Sequence, residues 1–185
     1  MDMSDTADLR YPIGRLADQP YSNQTEYDEK VKETLLLDVQ MLPQALEYAI
    51  TNLDAAQLNT TYRNGGWTVQ QVVHHVADSH MNAYIRFKLG LTEANPAIKP
   101  YDEAAWAELS DSRDVPVNIS LTLLHALHAR WYTLLKNMQE RDWKKKVYHP
   151  EHKKDISLWA LLQTYAWHGK HHVAHINSLR DRMGW

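Results

Sequence analysis

The sequence predicts an all-α protein, a four-helix bundle with long crossover connections. Four stretches, each of about twenty residues or more, space their apolar residues three and four apart, the period of an amphipathic helix. No stretch survives as a strand with strict alternation. Between the second and third of these stretches lies a long connection, 92–118, carrying Pro96, Pro100 and Pro116. A bundle with such a crossover need not place consecutive helices side by side.

Residues 1–24, with Pro12, Gly14 and Pro20, read as an extended leader. Thr25 or Asn23 is placed to cap a first helix over 26–51, whose stripe runs Val31, Leu35, Val39, Leu42, Leu46 and Ile50. Pro43 falls inside it, and a kink is expected there. Asn64-Gly65-Gly66 then breaks the chain. Thr68-Val69-Gln70-Gln71 has the form of a capping box and opens a second helix over 68–91, with Val69, Val72, Val76, His80, Ala83 and Phe87 along one side. A short helix fits DEAAWAEL within the crossover. The third helix, 119–139, runs through Leu121, Leu124, Leu127, Trp131, Leu134, Leu135 and Met138. A loop is expected over 140–156, and Ser157 caps a fourth helix over 158–182.

At 185 residues the chain is expected to form one domain, 1–185, long enough to bury a real core. Net charge is −3, which argues against a general surface for nucleic acid or anionic lipid; Lys144-Lys145-Lys146 reads as a solvated loop. There is no cysteine, so any metal must be held by nitrogen and oxygen. The polar start, MDMSDTADLR, lacks the apolar region of a signal peptide, and no apolar run approaches a membrane span. A cytoplasmic protein is expected. The seven tryptophans and ten tyrosines fall at helical spacing, as core and interface residues do.

Seven of the eleven histidines form two clusters, VVHHVADSH (His74, His75, His80) and YAWHGKHHVAH (His168, His171, His172, His175). Neutral imidazole is the commonest protein metal ligand. Residues four apart on a helix lie one above the other, about 6 Å along the axis. Two pairs have this spacing, His168 with His172 and His171 with His175. The stripe Leu158, Leu162, Tyr165, Gly169, Ile176 and Leu179 marks the inward face of the fourth helix; His172 lies on it and His168 at its edge. These two are the favoured ligands. His171 and His175 point progressively away and read as supporting, interface or solvent residues. On the second helix His80 lies on the apolar stripe, where a hydrogen-bonded core histidine is the commoner reading. His74 and His75 flank the polar face, and periodicity does not choose between them.

The segments YPIG, GGWTVQQVVHHVADSHMNAYIRFKLGLTE, KPYDEAAW, YHPE and WHGKHHVAHI, in this order, resemble the YfiT branch of the DinB-like metalloprotein superfamily over nearly the whole chain from Tyr11. The resemblance implies a four-helix bundle of unusual connection order, a homodimer, and one divalent metal per subunit held by three histidines. Carried onto this chain, the pattern makes His75, His168 and His172 the metal ligands. Zinc is the first expectation, with nickel and iron as alternatives.

Three protein ligands leave coordination positions open, as in catalytic zinc sites. Neutral ligands leave the ion's double charge intact to acidify a water or stabilise a thiolate. The first expectation is a metal-dependent hydrolase acting on a small molecule. The alternative is an S-transferase that activates a low-molecular-weight thiol as cofactor, and a second alternative is a non-catalytic metal-binding stress protein. No H-E-x-x-H, paired Glu-x-x-His, G-x-S-x-G, P-loop or G-x-G-x-x-G motif occurs, so no general base is assigned. Asp78 could orient a ligand but reads equally as a solvated helix residue. Tyr148 and His149 could reach the mouth of the site, though His149 before Pro150 suits plain turn chemistry. Arg86 could meet an anion. His125 and His128 have no assigned partner.

Overall fold

The computed structural model describes residues 8–185. The first seven residues of the leader, where most of the argument about a signal peptide falls, lie outside them. Four long helices form the bundle: α1 (Glu29–Ile50), α3 (Val69–Thr92), α6 (Val117–Lys136) and α8 (Leu158–Met183). The short helices α2 (Ala55–Leu58), α4 (Glu103–Ala107), α5 (Ser110–Asp114) and α7 (Glu140–Trp143) lie in the connections.

Local chemistry sets the boundaries. At the start of α3 the Gln71 N–H donates to Thr68 Oγ1 (3.1 Å) and the Thr68 N–H to Gln71 Oε1 (3.0 Å), the reciprocal box the sequence announces. Ser157 Oγ accepts from the Ala160 N–H at the start of α8. At α1 the expectation needs correction. The cap is Asp28, whose carboxylate accepts from the Val31 N–H, so the helix begins three residues later than read. A carboxylate beside the positive end of the helix is a strong cap, and it outcompetes the two earlier polar residues.

The long helices pack as a ring in the order α1, α6, α3, α8; consecutive α1 and α3 are not neighbours in it. The core has two halves. One is rich in aromatics, with Phe87, Trp131, Trp143, Trp159 and Tyr165. The other is mainly aliphatic, with Leu42, Leu46, Val69, Val72, Val76, Leu124 and Ile176. Between them three of the four long helices, α3, α6 and α8, carry histidine at one level. His80 sits between Ala77 and Ala83, His128 between Leu124 and Trp131, and His168 and His172 between Ala166 and Ile176. A layer of imidazoles thus crosses an otherwise apolar bundle.

The expected absence of strands is overturned. The segment read as a loop contains α7 and an antiparallel hairpin, β1 (Lys146–His149) with β2 (Lys154–Ser157). At four residues each the strands are too short for a period of two to show, and lysines occupy most of their exposed positions. The crossover joins this hairpin, the Ile98 N–H donating to Tyr148 O and the Tyr148 N–H to Pro96 O.

The leader runs antiparallel along α8, held by side chains of that helix that donate to its carbonyls. Trp159 Nε1 and Gln163 Nε2 reach Gln24 O (both 2.8 Å) and Trp167 Nε1 reaches Gly14 O (3.2 Å). His175 Nε2 lies 3.1 Å from Arg10 O. Among the described residues no helix is long and apolar enough to cross a membrane.

Candidate metal centre

α3 and α8 bring three imidazoles together. His168 Nε2 is 3.2 Å from His75 Nε2 and 3.2 Å from His172 Nε2. One ring nitrogen from each of the three lies within 4.8 Å of the others. His168 and His172 meet because they are one turn apart on one helix face. His75 completes the group because α3 and α8 are neighbours in the ring. Gly169 allows α1 to approach at this level: a Cβ there would stand 2.6 Å from Leu42 Cδ2.

The structure separates the two adjacent histidines of α3. His74 is satisfied elsewhere, with Nδ1 2.7 Å from Ser120 Oγ and Nε2 2.9 Å from Val115 O. His75 turns to the centre. The Trp67 ring lies 4.5 Å from that of His75 and 6.3 Å from that of His172, between centroids, walling one side of the trio. The sequence reading gave Trp67 no part in the site.

The group suits a soft-to-borderline divalent cation. Burial pushes His75 down to about 4 and holds His168 and His172 well below the usual histidine range. All three rings are therefore neutral at pH 7, the form that coordinates metal. Among the described residues the group has three members, and no carboxylate joins it.

Around the trio lie histidines that sequence reasoning placed only in part. His80 is fully buried as a hydrogen-bonded core residue, its Nδ1 3.0 Å from His128 Nε2 and its Nε2 3.2 Å from His168 Nδ1. His128, without an assigned partner in the sequence, has its Nδ1 2.6 Å from Val39 O. His171 and His175 are both buried, so the solvent option for them falls; the leader and Tyr62 cover that side of α8. His175 Nδ1 lies 3.4 Å from His172 Nδ1. His125 faces Glu47 at the surface. Asp78 makes no hydrogen bond to an imidazole; its carboxyl is pushed up to about 6 by burial and by the nearby Asp111.

His168 also borders a pocket of about 900 Å³. Arg86, Tyr101, His149 and Tyr165 line it too. Arg86 Nη1 donates to Tyr165 Oη (2.7 Å), and Nη2 to Lys99 O (3.3 Å). Burial pushes the Tyr101 phenol up to about 12, so it remains a neutral hydrogen-bonding group. His149 has both roles considered for it: it accepts from the His152 N–H in the hairpin turn, and it lines the pocket. Tyr148 is not among the lining residues.

Residues 39–176 match the DinB superfamily, and the chain belongs to it. The chain is 52% identical over 178 residues to a protein of Bacillus cereus (strain 03BB102) named "Putative metal-dependent hydrolase", covering 96% of this chain and 99% of that one. A relative from Bacillus thuringiensis subsp. konkukian matches at the same identity and coverage under the same description. Among solved structures, YfiT from Bacillus subtilis is described as a probable metal-dependent hydrolase with an unusual four-helix bundle topology. It matches with a TM-score of 0.91 and 47% identity, over 97% of this chain and 99% of that one.

Proposed function

We propose that the protein is a metal-dependent hydrolase of small molecules, with His75, His168 and His172 holding one divalent cation, zinc first among the candidates. The observation that carries this reading is the position of His168. Its Nε2 faces the other two imidazoles, and its ring also borders the large pocket. A centre serving only to pin helices has no need of a cavity at its edge. When bound, the cation supplies Lewis acidity, which polarises a carbonyl and makes a water acidic near neutrality.

The chain's own residues do the rest. The guanidinium of Arg86 gives the pocket a fixed positive charge, and Tyr165 and the Lys99 carbonyl hold it in place. It suits a substrate with a polar end, which would also meet the carboxylates of Asp102, Glu103 and Glu151 in the same lining. Tyr101 and Tyr165 offer neutral phenols for orienting hydrogen bonds. Trp67 closes one side of the trio with an apolar ring, which limits water there and strengthens local electrostatics. The names of the relatives support the hydrolase reading over the thiol-transferase one.

The test is reconstitution of the purified chain with zinc, nickel, iron or cobalt, metal analysis, and a screen of esters and amides, each with and without added low-molecular-weight thiols. The expected result is one equivalent of metal and thiol-independent cleavage that His168→Ala abolishes. Turnover only with a thiol would replace the reading by S-transfer. Full metal loading without any turnover would leave a binding protein. We also propose a homodimer, supported by the apolar side chains that α1 exposes on one face, Leu37, Met41 and Tyr48.

A further inference from the structure

We propose that two imidazole relays, His128–His80–His168 and His175–His172, each anchored on a backbone carbonyl, lock both metal-binding histidines of α8 in the tautomer that leaves Nε2 bare for the ion. The proposal rests on the metal reading of the site but not on any catalytic activity.

The polarity of each relay follows from its anchor. A carbonyl oxygen can only accept a hydrogen bond, so the ring nitrogen facing it carries the hydrogen. Val39 O, 2.6 Å from His128 Nδ1, makes that nitrogen the donor. A neutral imidazole has one N–H, so His128 Nε2 is an acceptor. His80 Nδ1, 3.0 Å away, must donate to it, which leaves His80 Nε2 as an acceptor. His168 Nδ1, 3.2 Å from that atom, then donates, and His168 Nε2 has no hydrogen. The second relay gives the same result on His172. Arg10 O makes His175 Nε2 a donor, so His175 Nδ1 accepts and His172 Nδ1 donates to it at 3.4 Å. His172 Nε2 is bare as well. The two bare nitrogens lie 3.2 Å apart with no hydrogen to place between them. Neutrality of every ring, which the argument requires, agrees with burial: it holds His128 and His175 down to about 4, and His80 lower than its usual range.

The anchor of the longer relay has its own explanation in the sequence. In an α-helix the carbonyl of residue 39 would accept from the N–H of residue 43. Residue 43 is Pro43, inside α1, and has no N–H. The proline withholds the usual donor from Val39 O, and His128 takes its place. A residue that weakens α1 as a helix thereby serves the centre. The roles of His80, His128, His175 and Pro43 are those of positioning residues.

The first test needs no metal. Long-range ¹H–¹⁵N NMR of the metal-free protein should find His80, His128, His168 and His172 protonated on Nδ1 and His175 on Nε2. A hydrogen on Nε2 of His168 or His172 would overturn the proposal. The second test measures Zn²⁺ affinity by competition with a chromophoric chelator. His128→Leu, which reaches His168 only through His80, should weaken zinc by up to about 10-fold, the low end of the loss usual for a direct partner of a metal-ligating histidine. His128→Gln, whose amide can donate to Val39 O and accept from His80, should restore most of it. Unchanged affinity in the leucine variant would overturn the relay, and should that variant fail to fold by circular dichroism, the NMR assignment decides alone. Pro43→Ala should raise the melting temperature yet weaken zinc binding, opposite signs that a purely structural proline would not produce. A gain in both would overturn its role. If the wild-type chain bound none of zinc, nickel, iron or cobalt, the hydrolase reading would fall, while the tautomers would still be read directly.

Discussion

His74 and His75 are neighbours in sequence with different partners, and this gives the sharpest test at the level of single residues. His75 contributes its Nε2 to the trio, while both nitrogens of His74 are taken by Ser120 and Val115. His75→Ala should lose bound metal with little change in fold, measured as metal content and circular dichroism. His74→Ala should keep its metal but lose about 1–3 kcal/mol of stability, because two hydrogen bonds of a buried imidazole, to the half-buried Ser120 hydroxyl and Val115 carbonyl, are removed; urea titration reads this. Exchange of the two phenotypes would reverse the assignment. The spacing of the fourth-helix histidines made His168 and His172 legible in the sequence, since one turn and one stripe suffice. His75 was legible only through the family resemblance. A helical wheel reports the angle to a stripe, whereas the fate of His74 depends on Ser120 and Val115, far along the chain.

At the level of elements, the close approach of α1 and α8 depends on Gly169. Its added Cβ would meet Leu42 Cδ2 and Cδ1 at 2.6 and 2.9 Å, and Leu42 is buried. Gly169→Ala gains about 1 kcal/mol in helix propensity but overpacks the interface by about 1–3 kcal/mol. A net loss of up to about 2 kcal/mol is expected in urea titration, with weaker zinc binding, as His168 and His172 flank the strained site. A stabilised variant would show that α1 can move away freely. The caps at Thr68 and Ser157 were readable because a box and a hydroxyl act over three residues. The hairpin was not, for its register comes from pairing with a partner and from Val147 buried beneath it. Nor was the burial of His171 and His175 readable, because it is the leader, more than 140 residues earlier, that covers them.

Across the whole molecule, the buried histidine layer couples stability to pH. His75, His128, His171 and His175 are held down to about 4, while His80, His168 and His172 lie well below 6.5. Below pH 6.5 the unfolded chain binds protons that the folded chain refuses, so stability rises with pH in this window. The metal-free protein should have its full histidine contribution above pH 6.5 and lose it progressively as pH falls toward 4; melting curves across that range check this. A flat profile would mean that the rings are hydrated. Bound metal should be released over the same range, since its ligands must be unprotonated. Light scattering tests the proposed homodimer, and a monomer mass at micromolar concentration would refute it. By itself the sequence determined the four amphipathic helices, two of their N-caps, the exclusion of cysteine ligands and the clustering of histidines, because all of these are local in the chain. The tertiary structure decided which helices are neighbours, which of two adjacent histidines turns inward, and which carbonyls end the imidazole relays. Those outcomes depend on contacts between residues dozens to well over a hundred positions apart, and such contacts exist only once the core has closed around them.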